Sequence, residues 1–188
     1  MDVEETPIKG VLKIRLRQID DRRGFFVETF RQDVFDEAVG SVTTFVQDNC
    51  SYSRLQHTVR GLHGQRAPKA KGKLVTCTQG KIRDIVVDIR PNSETFGRSV
   101  TIELTAEALT QLWVPEGFLH GFITLEPDTE VRYKCTNYYA PECAIHVDWK
   151  DPDLRLDWGV EAAQAILSDK DENAQSFKDF NLTCAKSA

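Results

Sequence analysis

Two runs decide how this chain is read: Thr58-Val59-Arg60-Gly61-Leu62-His63-Gly64-Gln65 and, further on, Trp113-Val114-Pro115-Glu116-Gly117-Phe118-Leu119-His120-Gly121. Each brings a glycine close before a histidine, where apolar alternation marks a strand entering or leaving a buried interior. Two histidines on two strands can therefore face one cavity. Around His63 the small residues Gly61 and Gly64 permit close approach of a ligand or of another backbone. An unperturbed imidazole titrates at ~6.5, which suits a base at neutral pH. A purely structural histidine is the competing reading.

Outward from these runs the chain is mostly strand. Val11 to Ile19 alternates apolar and basic residues, Asp20 to Gly24 supplies turn chemistry, and Phe25 to Phe30 resumes as a strand, so the pair reads as a hairpin. Gln32 to Val39 has a brief helical pattern that Gly40 ends. Leu74 to Thr78 and Ile82 to Ile89 flank a tight turn at Gln79-Gly80. In the second of these strands Arg83, Ile85, Val87 and Ile89 oppose Ile82, Asp84, Val86 and Asp88, which puts two aspartates on one face. Phe118 to Leu125 and Glu130 to Thr136 are further strands, and Tyr133 shares a face with Val131 and Cys135. Many short strands separated by Gly and Pro argue for a sandwich or closed barrel. Trp149 to Trp158 reads as an irregular surface loop, Val160 to Ile166 as weakly helical, and Lys170 to Asn181 as polar and at best amphipathic. With no linker or repeat, residues 1–188 read as one domain. Its β core spans about 10–150, and a tail from about 151 onward packs back on it.

A length of 188 residues suits one buried core. The 24 basic and 29 acidic residues give a formal charge of -5 with the signs interspersed. That balance argues against a nucleic-acid surface, and a phosphate-bearing ligand needs a local cationic pocket. The cysteines number five and have no CxxC spacing, so they read as reduced thiols of a cytoplasmic protein, with Cys77 and Cys135 as small buried hydrophobes. The acidic start Met1-Asp2-Val3-Glu4-Glu5 has no apolar core of a leader, and no apolar run approaches ~18 residues. The expectation is a soluble, unexported protein with no membrane partner.

Pro115-x-Gly117-x-x-His120 resembles the second motif of the cupins, the double-stranded β-helix family, and so implies a mainly β jelly-roll barrel with an interior site. Many cupins bind metal through such a histidine. Here, however, Gln65 stands where the second histidine of the first cupin motif would be, and Pro68-Lys69 where an acid would be. Two imidazoles without a third ligand make a poor transition-metal site, so no metal is expected. Read on their own, Lys73 and Asp171 are solvated surface groups, and Tyr133 is a core tyrosine with its hydroxyl satisfied.

A longer resemblance joins these pieces. Arg23-Gly24-Phe25-Phe26, Phe45-Val46-Gln47-Asp48-Asn49, Arg60-Gly61-Leu62-His63, Gly72-Lys73-Leu74-Val75, Val87-Asp88-Ile89-Arg90, Gln111 through Phe122, Tyr133-Lys134, Asn137-Tyr138-Tyr139-Ala140-Pro141-Glu142 and Leu167-Ser168-x-Lys170-Asp171 resemble, in order, the dTDP-4-dehydrorhamnose 3,5-epimerase family. The resemblance implies a jelly-roll barrel, a homodimer, no cofactor and a nucleotide-linked 4-keto-6-deoxy sugar as substrate. Carbons beside the ketone would lose a proton on one face and regain it on the other, which calls for a base, an acid opposite it and a group that stabilises the enolate. It makes His63 the base, Asp171 its orienting partner, Tyr133 the acid and Lys73 the cation near the carbonyl oxygen. Arg23, Arg60, Lys170 and His120 would contact diphosphate or sugar. Tyr139 would stack on the base, and Gln47, Asn49 and Glu28 would offer hydrogen bonds; Phe26 belongs with Arg23 in the same substrate-binding block. Asp84 is a further candidate to hold Lys73 or His63.

Three departures from the family pattern bear on the substrate: Cys50 in place of a histidine, Gly64 in place of an aromatic beside the base, and Ala144 in place of an acid. Gly64 would open space beside His63. The rival readings are a single-carbon epimerase, an epimerase of another nucleotide or of a heptose, a 4-keto isomerase, a sugar-nucleotide-binding cupin without turnover, and a metal-dependent oxygenase.

Overall fold

The computed structural model describes residues 1–185, with side chains through Asn181; Cys184, expected as a reduced thiol, lies outside the described side chains. Among the described residues thirteen strands carry the fold: β1 (Asp2–Glu5), β2 (Leu12–Arg15), β3 (Gln18–Asp21), β4 (Gly24–Val27), β5 (Gln47–Ser53), β6 (Val59–Gln65), β7 (Lys73–Gln79), β8 (Lys81–Asp88), β9 (Ser99–Thr105), β10 (Thr110–Val114), β11 (Phe118–Thr124), β12 (Thr129–Cys135) and β13 (Ala144–His146). They form one sheet in the order β1-β2-β10-β7-β12-β5, a second in the order β13-β6-β11-β8-β9, and a separate β3-β4 hairpin. All strand pairs are antiparallel. Two antiparallel sheets face to face make the jelly-roll sandwich that the cupin motif implies.

Alternation decides which side chains meet between the sheets. Val75, Cys77, Ile82, Val86, Leu112, Phe118, Phe122 and Val131 form the central core. The opposite face of β8 contributes Ile85 and Val87 to a second core on the far side of its sheet. Strand β8 is thus buried on both faces from Asp84 to Asp88, where both its apolar residues and its two aspartates are enclosed. A third cluster on the outside of the first sheet is closed by α1 (Gln32–Val39), whose Phe35 is fully buried. Gly40 ends that helix at φ 72°, in the left-handed region where a side chain is strained.

The hairpin is shorter than its sequence pattern. The backbone of Leu16 turns aside to bond Leu109, so β2 ends at Arg15, and β3 pairs with β4 only from Gln18 to Val27. A larger correction concerns Trp149 to Trp158. The segment is irregular, but Trp149, Leu154 and Trp158 are buried with Phe177 and Phe180 against the outer face of the second sheet. Its aspartates misled the reading because several serve the backbone rather than solvent: buried Asp151 accepts from the Phe177 and Asp153 amides at 2.8 and 2.9 Å. The Trp158 Nε1–H donates to the Trp149 carbonyl at 2.6 Å. Val160 to Ile166 holds a single 3-10 turn, Ala162–Gln164, after which Ile166 bridges in parallel to Thr58 at the start of β6. Two helices follow, α2 (Asp169–Glu172) and α3 (Phe177–Ala185).

Candidate active site

One cleft of about 370 Å³ opens between the sheets, and three parts of the chain line it. The first sheet supplies Ser51, Lys73 and Tyr133; the second supplies Arg60, His63, His120 and Phe122; the tail supplies Ile166, Leu167, Ser168 and Asp171. Strands β6 and β11 set the second wall. His63 and His120 are direct register partners, and a bulge follows at once between His120 and Phe122. The backbones press together there: a Cβ on Gly61, at φ +131°, would lie 2.6 Å from the Gly121 Cα. The glycine before His63 therefore serves another backbone rather than a ligand.

His63 is half-exposed, and its Nε2 lies 2.5 Å from Asp171 Oδ1. Asp171 is buried, at 4 % exposure, contrary to its reading as a surface group. Ser168 caps α2: its hydroxyl accepts from the Asp171 amide at 3.3 Å and donates to Asp171 Oδ2 at 2.8 Å. Burial opposes the carboxylate charge, but the His63 and Ser168 hydrogen bonds outweigh it and hold the Asp171 pKa below the usual range. An ionised Asp171 fixes the His63 tautomer with hydrogen on Nε2, which leaves the Nδ1 lone pair to accept a proton.

His120 is built differently. Its Nε2 donates to buried Asp84 Oδ2 at 2.9 Å, and its Nδ1 lies 3.3 Å from Lys73 Nζ. Burial lowers its pKa, against the pull of Asp84. A neutral ring that donates to the carboxylate and accepts from the ammonium satisfies both contacts. Asp84 therefore holds His120, rather than Lys73 or His63. With both nitrogens engaged, His120 is removed from any ligand set with His63. Burial likewise brings Lys73 down from 10.5 to about 8. Tyr133, on β12 beside β7, has its pKa raised chiefly by burial, so its hydroxyl keeps its proton.

The other sequence candidates are dispersed. Arg60 lines the cleft, its guanidinium donating to Ser53 Oγ and the Tyr52 carbonyl. Gln47 donates to Asn49 and accepts from the Tyr139 amide; Asn49 faces a neighbouring depression that also holds Cys50 and Gln111. Tyr139 is exposed, with the Lys71 ammonium 5.5 Å from its ring centre. Lys170 lines a separate depression beside β13, with Ala144 and His146. Arg23, Phe26 and Glu28 lie on or beside the exposed β3-β4 hairpin, where Arg23 pairs with Asp21 and Glu28 with Arg31. Gly64 needs correction: a Cβ there would meet the Phe118 carbonyl at 3.1 Å and Leu119 at 3.2 Å, with Ile145 at 3.8 Å. Successive strand residues point to opposite faces, so Gly64 faces the core under the tail and opens no space beside His63.

Sequence reasoning passed over Ser168 and His146. The first carries a legible signal, a serine followed three residues later by an acid at a helix start. The second carries none, because only the pairing of β13 with β6 sets His146 opposite His63.

Comparison with known proteins identifies the family. The model of the dTDP-4-dehydrorhamnose 3,5-epimerase family matches residues 5–179. A dTDP-4-dehydrorhamnose 3,5-epimerase of Shigella flexneri is 46 % identical over 179 residues, covering 95 % of this chain and 97 % of that relative. The crystal structure of the enzyme of that name from Elizabethkingia anophelis superposes with a TM-score of 0.92 at 43 % identity, covering 96 % of this chain and 98 % of the other. A Legionella pneumophila dTDP-6-deoxy-D-glucose-3,5-epimerase in complex with dTDP-4-keto-L-rhamnose superposes at 0.91 with 39 % identity, over 98 % and 95 % of the two chains. On this evidence the chain belongs to the dTDP-4-dehydrorhamnose 3,5-epimerase family.

Proposed function

We propose that the chain epimerises a dTDP-linked 4-keto-6-deoxy hexose at C3 and C5. The observation that carries this reading is the division of the cleft: His63 comes from one sheet and Tyr133 from the other, so a hexose between them presents opposite faces to the two groups. The ketone at C4 acidifies the C–H bonds on either side. His63 Nδ1 takes the proton, and Asp171 stabilises the imidazolium that forms. Negative charge moves to the carbonyl oxygen, where the Lys73 ammonium stabilises it, held in place by His120 and Asp84. Tyr133 delivers a proton to the opposite face and inverts the carbon. Between turnovers solvent takes the proton from His63 and returns one to Tyr133, and the reaction gains or loses no electrons overall, so the reading assigns it no cofactor.

Arg60 supplies a local cation of the kind that a chain of net charge -5 needs to hold a nucleotide diphosphate. We place the work in the cytoplasm; among the described residues no helix is long and apolar enough to cross a membrane. We read residues 1–188 as a single domain, because the tail contributes both to a core and to the cleft. The chain acts as a homodimer in this reading. Ile19, Phe25 and Phe26 are 57, 59 and 67 % exposed on the hairpin, an apolar surface suited to a second copy, whose cleft would receive Arg23, Phe26 and Glu28. A monomer in sedimentation analysis would remove that part.

The function is tested by incubating the protein with dTDP-4-keto-6-deoxyglucose in D₂O and counting deuterium by NMR. Incorporation at both C3 and C5 is expected. Incorporation at one carbon would make this a mono-epimerase, and binding without exchange would make it a non-catalytic sugar-nucleotide protein.

A further inference from the structure

The imidazole of His146 is unused in the reaction above, yet it sits against the base. Strand β13 pairs antiparallel with β6 so that His146 lies directly across from His63. Their rings meet edge to face, with centroids 4.9 Å apart at 70°. Asp171 reaches the same spot through its contact with His63. One donor atom from each of His63, His146 and Asp171 lies within 4.8 Å of the other two. Moreover, the Nδ1 of His146 is buried without a hydrogen-bond partner. A buried polar atom left so loses its hydration without a replacement, and an arriving cation would satisfy it.

Two imidazoles and one carboxylate form a donor set suited to zinc and to its chemical neighbours. Donors around a tetrahedral zinc lie about 3.4 Å apart, so the three must draw inward, as ring and carboxylate rotations allow. Access does not require the substrate cleft. His63 lines the cleft, whereas His146 lines the depression beside β13 with Asp169 and Asn173, so the cluster stands between the two.

We infer that His63, His146 and Asp171 form an inhibitory site for a divalent cation of the zinc class. The inference rests on the reading of His63 as base: a metal held by His63 and Asp171 replaces the hydrogen bond between them and ties up the imidazole, so proton abstraction stops. Part of the site is peculiar to position 146, and the acid–base residues alone would make only a two-donor site.

The test uses the intact chain in metal-free buffer. Zinc chloride is titrated calorimetrically, cobalt(II) is added separately and its visible absorption recorded, and deuterium exchange into the substrate is followed with and without zinc. Wild type is expected to bind one zinc per chain, to give the intense cobalt bands of a tetrahedral site, and to lose exchange as zinc binds. His146→Ala should exchange normally without zinc, bind zinc at least about tenfold more weakly and resist inhibition to the same degree. His146→Gln, which keeps bulk and polarity at the position, provides the same comparison should the alanine variant fold poorly. Absence of a titratable site in wild type, or equal zinc affinity in wild type and both variants, overturns the proposal. Tight binding that leaves exchange untouched overturns the inhibitory role. If wild type shows no exchange even without zinc, the epimerase reading fails, while calorimetry and the cobalt spectrum still decide the metal site.

Discussion

His63 and His120 face each other in the register of β6 and β11, yet the molecule puts them to opposite uses. His120 is 5 % exposed, with one nitrogen on Asp84 and the other near Lys73. His63 is half-exposed, with one nitrogen on Asp171 and its ring lining the cleft. The partners also differ in origin. Asp84 and Lys73 stand on strands of the barrel, so the His120 arrangement is set once the sheets form. Asp171 arrives on α2 from the tail, whose anchorage is the buried Trp149, Trp158 and Phe177 cluster. The base of the proposed reaction thus depends on a segment outside the sandwich, and the oxyanion cation does not.

The largest effect expected from breaking this pairing is that of His63→Ala, which removes the base. Turnover should fall by about 10²–10⁴-fold or more, measured as kcat on the keto sugar, while the fold remains intact by circular dichroism. Trp158→Ala should come next. Emptying a buried aromatic site costs about 3–5 kcal/mol of stability, read in a urea titration. It should also lower activity by loosening Asp171, while the pH response of Lys73 stays where it was. Such a split would separate the tail-dependent half of the site from the barrel half.

Lys73→Met should then reduce kcat by about 10²–10³-fold, the scale of losing one group that stabilises a developing oxyanion. In wild type, kcat/KM should fall as pH rises through about 8, where the free-enzyme ammonium of Lys73 loses its proton. The raised pKa of Tyr133 keeps that hydroxyl out of the same window. The unfolded chain holds the lysine proton more tightly, so this group adds stability as pH climbs from about 8 to 10.5. Asp171 acts in the opposite sense. Its lowered pKa contributes stability that is present above the ordinary carboxylate range and lost as pH falls through the folded value. The smallest effect should be that of Gly64→Ala. The new Cβ crowds the Phe118 carbonyl and Leu119, costing about 1–3 kcal/mol of stability, with substrate preference unchanged. A shift in preference would return Gly64 to the cleft.

What the sequence reveals follows from how local each feature is. The alternation of β8 foretells that Asp84 and Asp88 point inward together, because side-chain period is a property of one strand. Helix α1 is legible to the residue, from Gln32 to Val39, because its apolar spacing and its terminal glycine lie within one short stretch. The burial of Trp149 and Trp158 is not legible, since an Asp-rich segment looks solvated until the amides its carboxylates serve are known. Gly64 was misread because neighbours in sequence are not neighbours on a strand face. His146 depends wholly on a strand pairing that no local pattern announces. Asp171 and Tyr133 look ordinary on their own, and the resemblance singled them out, whereas the structure brings them into one cleft.

The most direct test of the central claim, a base from one sheet and an acid from the other, is deuterium wash-in compared between two variants. With dTDP-4-keto-6-deoxyglucose in D₂O, His63→Ala should show no incorporation at C3 or C5. Tyr133→Phe should still exchange its substrate proton while failing to invert at least one centre. Retained exchange in His63→Ala, or an unchanged product ratio in Tyr133→Phe, would contradict the assignment of base and acid to opposite walls of the cleft.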